Sequence, residues 1–198
     1  MKWLEALPAT IAAVDVETTG LTSEDRIVSI GAFWLSTAAL KDGSFPVSYL
    51  HLIFNPQRKS HWAARKVHGF SSKILDKQEL FSSYATHISS FLNSADLVIA
   101  HNAAFDLTFI NRELCFAGSD PVKSKIHCTM QACQTAGIAP AKLDHVCGQF
   151  DYARDGSIHG ALEDAWLALM VFLWMNGCPH RKPFRDASSS MALFNQVV

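Results

Sequence analysis

Three short segments hold residues whose types and spacing could do chemistry. The first is Asp15-Val-Glu17-Thr-Thr-Gly20, which follows the apolar run Ile11-Ala-Ala-Val14. If that run is a strand, residues i and i+2 project to one face and the two carboxylates stand side by side. Adjacent acids at the end of an apolar strand repel, and one pKa rises unless a cation lies between them. Taken alone, an Asp-x-Glu pair is commonly a pair of solvated surface acids, but the apolar lead-in here argues against a surface location. The second segment is His101-Asn-Ala-Ala-Phe-Asp106, directly after Leu97-Val-Ile-Ala100. Strand ends that lead into helices are where α/β sheets place ligand sites. Its plain alternative is an ordinary helix start, with Asn102 capping and Asp106 favoured by the helix dipole. The third is His159-Gly-Ala-Leu-Glu-Asp164, ahead of the apolar run Ala165–Met175. That run predicts a helix buried all round, so Asp164 in its first turn lies at the core edge and needs a partner. Glu163 is expected in solvent, and a loop histidine in contact with water is the plain alternative for His159.

The elements that must position these residues follow from the hydrophobic pattern. Strands are predicted at 11–14, 27–35, 47–54, 97–100 and about 126–128, with Lys41-Asp-Gly43 as the turn between the second and third. Helices are predicted at 79–92, 104–116, 129–136, 143–149 and 160–175. Three early strands, then strands alternating with helices, imply an α/β fold with a mixed five-stranded sheet flanked by helices. Residues 176–198, with Pro179, Pro183 and Ser188–Ser190, read as a tail that is flexible or binds a partner.

Composition bounds the function. The chain has 198 residues, is 49% hydrophobic, and carries 17 basic against 18 acidic residues for a net charge of −1. This suits one domain with a sizeable core and excludes a disordered chain or a binder that grips nucleic acid by bulk positive charge. The five cysteines show neither Cys-x-x-Cys nor zinc-finger spacing, which predicts reduced thiols in the cytoplasm. Glu5 and Pro8 interrupt any signal-peptide core, and the longest apolar run is well short of the ~20 residues that span a membrane. Between Gly43 and Leu75 there is no acidic residue, while Arg58, Lys59, Arg65, Lys66 and Lys73 occur. This stretch is either a solvated basic face or a lining for an incoming nucleic-acid strand.

The three segments together are more specific than any one. Asp-x-Glu-Thr-Thr-Gly, then His-Asn-x-x-Phe-Asp, then His-x-x-x-x-Asp resembles the DEDDh (DnaQ-like) 3′→5′ exonucleases, which have a ribonuclease H-like fold. Within that family the chain resembles the proofreading epsilon subunits of bacterial DNA polymerase III. The resemblance runs from about Ile11 to Met175 and includes Ile27-Val-Ser-Ile-Gly-Ala, Val67-His-Gly69 and Leu143-Asp-His-Val-Cys. Ser29 departs from it, since an acidic residue is common there. The resemblance implies an exonuclease domain over 1–175 with two Mg²⁺ or Mn²⁺ ions held by Asp15, Glu17, Asp106 and Asp164. Asp15, Glu17 and Asp164 would hold the first ion, Asp15 would bridge to the second with Asp106 nearby, and His159 would be the general base. Thr18, Gly20, Leu21, Val67, His68, Asn102 and Phe105 would meet the terminal nucleotide. It implies a nucleic-acid 3′ end as substrate, DNA ahead of RNA, in proofreading or repair, with DNA polymerase III or a sliding clamp as partner and no membrane. An exoribonuclease of the same family, and a non-catalytic polymerase or clamp accessory subunit, are the other readings. The segment Ser190-Met-Ala-Leu-Phe194 faintly resembles clamp-binding peptides, without their usual Gln.

Overall fold

Ile11, Ala12, Ala13 and Val14 are all fully buried, because they form the centre of a strand covered on both faces. In the computed structural model, which describes residues 2–152, 160–179 and 191–193, this strand is β1 (Thr10–Thr18). With β2 (Ile27–Ser36), β3 (Val47–Ile53), β4 (Leu97–Ala100), β5 (Lys125–Cys128) and β6 (Met191–Leu193) it forms one sheet of order β5-β4-β1-β2-β3-β6. The first three strands are antiparallel neighbours; β4 joins β1, β5 joins β4, and β6 joins β3, all in parallel. The five expected strands are thus present in a mixed sheet. The short sixth strand comes from the segment read as a tail.

Strand parity decides what faces what. Ala12, Val14 and Val16 pack on one side of the sheet with α4 (Ala85–Asn93) and α5 (Ala103–Phe116). Ile11 and Ala13 pack on the other side with α8 (Ala161–Met175). Continuing the odd series sends Asp15 and Glu17 to the α8 side. α8 is buried along almost its whole length, including Asp164 and Ala165 through Leu173. It has the sheet on one side and α6 (Thr129–Thr135) with α7 (Leu143–Gly148) on the other, where Leu167 and Val171 meet Cys133, Val146 and Cys147. Each such apolar side chain contributes ~1.5–3 kcal/mol on burial, so the position of this helix is strongly specified.

Gly31 sets how close α8 comes. It lies opposite Asp15 in the β1–β2 register. A Cβ built there would stand 2.2 Å from Leu162 N, 2.3 Å from its Cα and 2.4 Å from Ala161 C. These are backbone atoms of the first turn of α8, so no side chain can swing away to make room. Gly31→Ala is expected to cost about 2–3 kcal/mol, near the top of the overpacking range. For a chain of this size that is roughly 5–10 °C in melting temperature. A thermal melt checks it, and an unshifted Tm would mean that α8 does not need this contact.

Between β3 and β4 the structure adds what periodicity missed. α2 (Trp62–His68) and α3 (Ser72–Leu75) are short and mostly exposed, each with one buried residue, so neither has an apolar stripe to read. The helix expected at 79–92 is a 3₁₀ turn over Phe81–Ser83 followed by α4. The N-terminal α1 (Lys2–Glu5) and a 3₁₀ turn at Thr37–Asp42 were likewise not expected. Among the described residues, no helix is long and apolar enough to cross a membrane.

Candidate active site

Asp15, Glu17 and Asp164 meet at one place: one carboxylate oxygen from each lies within 4.8 Å of those of the other two. β1 supplies the first two from one face, and the first turn of α8, drawn in over Gly31, supplies the third. Asp15 is half-buried, while Glu17 and Asp164 are 8% and 7% exposed, so solvent does little to screen them. Like charges this close repel by about 3–4 kcal/mol per pair at the effective dielectric of a protein surface.

Asp106 stands behind this trio. The β1–β4 ladder runs over Ile11–Ala13, and further along β1 the Val16 N–H donates to Asp106 Oδ1 at 3.1 Å instead. The carboxylate therefore takes the place of a strand where the sheet opens, and Asn102 stands at the cap position of α5 without a side-chain capping bond. Asp106 is 2% exposed, and burial pushes its carboxyl up to about 7 against the pull of the backbone donors, with the charge of Asp164 adding to the rise.

The donor set fits hard divalent ions. It offers carboxylate oxygens that packing holds together, the ligands of Mg²⁺ and Mn²⁺ rather than the thiolate and imidazole that favour zinc. Ser29 lies opposite Glu17 in the register, and its buried Oγ has no hydrogen-bond partner among the described residues. The sign of the Asp106 shift gives a test. A carboxyl that titrates near 7 in the native state and near 3.8 unfolded contributes stability that is fully present below about pH 4 and is lost as the pH rises through 7. An ion on the carboxylates opposes that loss. Mn²⁺ at about a hundred times its Kd is expected to stabilise by ~2.7 kcal/mol, roughly 5–10 °C at pH 8, and by less than half as much at pH 5. Differential scanning fluorimetry reads this directly; a shift of the same size at both pH values would exclude Asp106 from the metal response.

The loop after Glu17 is pinned by a buried acid that the sequence did not single out. Asp25 is fully buried and accepts from Thr19 Oγ1 at 2.7 Å, the Thr22 N–H at 2.9 Å and Thr22 Oγ1 at 2.8 Å. Arg58 Nη2 and His61 Nε2 lie 3.4 and 3.6 Å from its Oδ1. Burial alone would raise this carboxyl, but the Thr22 backbone, the two threonine hydroxyls and the Arg58 charge outweigh it and hold the group below the usual range. Arg58 also donates to the Glu24 carbonyl, and Arg112 to the Ser23 and Asp25 carbonyls. Arg58 is therefore part of this clasp, whereas Lys59, Arg65, Lys66 and Lys73 are exposed. Gly20 fits only because it has no side chain: a Cβ there would stand 2.4 Å from His61 Cδ2 and 2.5 Å from Asp25 Oδ2.

The remaining expected contacts fall in two groups. Gly20, Leu21 and Val67 line one cavity with His61 and Trp62, beside the Thr18 turn in which Thr18 Oγ1 donates to the Gly20 carbonyl. His68 is 3% exposed, and its Nδ1 accepts the Phe70 N–H at 3.0 Å, which leaves Nε2 as the protonated nitrogen, buried and without a partner among the described residues. Asn102 is exposed and Phe105 half-buried at the start of α5, where Phe105 packs on Phe109 with ring centroids 4.8 Å apart. Glu163 is half-buried rather than in solvent. His159 lies outside the described residues. Neither Asp25 nor Trp62 carried a spacing signal; Asp25 sits in a polar turn that reads as solvated.

Known proteins resemble this chain in sequence and in fold. Residues 12–172 match the exonuclease family RNase_T. The epsilon subunit of DNA polymerase III from Rickettsia prowazekii is 33% identical over 172 residues, covering 83% of this chain and 72% of that protein. The nuclease domain of 3′hExo, a DEDDh family member solved with rAMP, superposes with a TM-score of 0.67 at 15% identity, covering 89% of this chain and 96% of that one. Escherichia coli exonuclease I, solved with a dT13 oligonucleotide, gives a TM-score of 0.69 at 14% identity, covering 86% of this chain and 41% of that one. These neighbours share the ribonuclease H-like arrangement of a mixed sheet between helices.

Proposed function

Because the chain belongs to the RNase_T exonuclease family, as a DnaQ-like 3′→5′ exonuclease, we propose that it removes nucleotides one at a time from the 3′ end of DNA and releases nucleoside 5′-monophosphates. The observation that carries this reading is the meeting of Asp15, Glu17 and Asp164 within 4.8 Å, with Asp106 behind them. Two Mg²⁺ or Mn²⁺ ions would be held by these four residues and, when bound, would supply charge neutralisation at the scissile phosphate and a water that ionises near neutral pH. Every other part of the reaction falls to the chain. Thr18, Gly20 and Leu21 on the pinned loop, Val67 and His68 on α2, and Asn102 and Phe105 on α5 would hold the terminal nucleotide. His159 would take the proton from the attacking water. The new 3′-hydroxyl left on the strand is the next substrate end.

DNA is favoured over RNA because a relative one-third identical over most of this chain is a DNA polymerase III subunit, whereas the neighbour solved with rAMP shares 15% identity. The proposed setting is proofreading or repair in the cytoplasm, in association with DNA polymerase III; the five free cysteines suit that compartment. The catalytic unit would span 1–175, with a partner held by the parts of 176–198 other than Cys178, which is buried in the core, and Met191–Leu193, which pair with β3. Sliding-clamp binding through Ser190–Phe194 is the weaker part, since Met191–Leu193 is occupied as a strand against β3, while Ser190 and Phe194 lie outside the described residues.

The test is incubation of 5′-labelled single- and double-stranded DNA and RNA with Mg²⁺ or Mn²⁺. DNA shortening from the 3′ end, absent in EDTA, is the expected result. Shortening of RNA alone would replace the DNA reading with the exoribonuclease one. Inertness on all four substrates would leave an accessory subunit.

A further inference from the structure

Leu21, Trp62 and Val67 are 84%, 74% and 42% exposed. They account for three of the six large apolar side chains exposed among the described residues, and all three line the same cavity of about 430 Å³. Leaving that much apolar surface in water on one patch is unfavourable unless something covers it. The remaining lining is small, from Gly20, Ala63 and Ala64.

The surroundings say what kind of surface would cover it. Gly20 lies three residues after Glu17, so the cavity sits on the loop that leaves the strand carrying two of the carboxylates. The Asp25 clasp ties its two walls together: Thr19 and Thr22 from one side and Arg58 and His61 from the other converge on one buried carboxylate. The His61 N–H further donates to the Thr19 carbonyl at 2.8 Å. The cavity is therefore preformed, which lowers the ordering cost of binding. Lys59, Arg65 and Lys66 are exposed in the acid-free stretch that carries Trp62, and Lys66 Nζ lies over the Trp62 ring, 5.5 Å from its centroid. An indole left 74% exposed, with one ammonium over its ring, suits a flat, apolar-faced group on an anionic backbone, which describes a nucleobase in a single strand.

We propose that Trp62 is a stacking platform for a base within the last three nucleotides of the substrate strand, and so makes the enzyme prefer single-stranded or frayed 3′ ends. This rests on the nuclease reading for its setting and adds to it a specificity-determining residue. A base inside a duplex is stacked on both faces and the outermost pair on one, so the ring is most accessible to an end that has come out of the duplex.

Steady-state kinetics on a 5′-labelled oligo-dT, with Trp62→Ala and Trp62→Phe, test it. Trp62→Ala is expected to raise KM about tenfold, within the range for stacking on one base, with kcat within about twofold of wild type. Trp62→Phe should restore KM to within about threefold. Abasic nucleotides placed at each of the last three positions give the decisive comparison. At one position wild type should lose about tenfold in kcat/KM while Trp62→Ala loses nothing further. An unchanged KM in Trp62→Ala, or equal losses by both proteins at every abasic position, overturns the proposal. Anisotropy binding of the same oligonucleotide with Ca²⁺ separates it from the nuclease reading. Trp62-dependent binding by a protein that cuts nothing would keep the platform and sink the nuclease, whereas robust cutting indifferent to Trp62 does the reverse. Should wild type self-associate in solution and Trp62→Ala abolish that without touching oligonucleotide binding, the patch is a contact between copies and the proposal falls.

Discussion

Asp164→Asn is expected to remove exonuclease activity by a factor on the order of 10³ or more, since several kcal/mol of charge stabilisation at the phosphate depend on the ions this site would hold. The substitution is close to isosteric, and the Asp164 N–H that donates to the Gly160 carbonyl at 3.0 Å is untouched, so the start of α8 persists. What changes is charge. Asp164 lies within 4.8 Å of Asp15 and Glu17 and helps to drive the Asp106 carboxyl up to about 7. Removing one negative charge relieves that repulsion, so the metal-free variant should melt at or above the wild-type temperature at pH 8, while the Mn²⁺-dependent rise in Tm disappears. Activity and metal-free stability thus move in opposite directions, which a merely damaged fold cannot imitate. Asp15→Asn should behave in the same way. Turnover retained by either variant, or wild-type turnover that persists in EDTA, would sink the metal-dependent mechanism.

The parts of this site that could be read in the sequence are those written in strand and helix periodicity. Asp15 and Glu17 share a face because they are two apart on a strand, and the alternation that puts Ile11 and Ala13 against α8 carries them to the same side. Ala165–Met175 is apolar all round, so the helix that brings Asp164 had to be buried. What was not legible depends on distances between elements. Gly31 has no chemistry of its own, and its role exists only because Leu162 backbone lies where its side chain would be. Asp25 sits in a polar turn, and nothing local says that Arg58, more than 30 residues on, closes over it. Asp106 was read either as a site acid or as a residue favoured by the helix dipole; the bond from Val16 depends on where β4 ends relative to β1. α2 escaped because its buried content is a single histidine, which has no periodicity. β6 escaped because a three-residue strand far along the chain is specified by the open edge of β3, not by its own composition.

His159→Ala is expected to cut turnover by about 10²–10⁴, the range for losing a general base, with little change in oligonucleotide binding. In the chain His159 comes one residue before the cap of α8 and five before Asp164. The pH profile distinguishes this role from a structural one. A base of pKa near 6.5 gives kcat an acid limb, because the imidazole must be neutral to accept a proton. Asp106 can produce a similar limb, since its carboxyl is pushed up to about 7 before any ion binds. Metal concentration separates the two. Ligation requires ionised carboxylates, so raising Mn²⁺ keeps moving the Asp106 limb to lower pH, whereas the limb of a histidine that is not a ligand settles at one value once the site is full. At saturating Mn²⁺ the wild-type enzyme should therefore keep one limb near neutrality, and His159→Ala should lose it. The variant's residual rate should then keep rising with pH beyond neutrality, because no imidazole takes the proton of the attacking water. If His159→Ala retains the neutral limb at saturating Mn²⁺, the limb belongs to another ionisation and His159 is not the base.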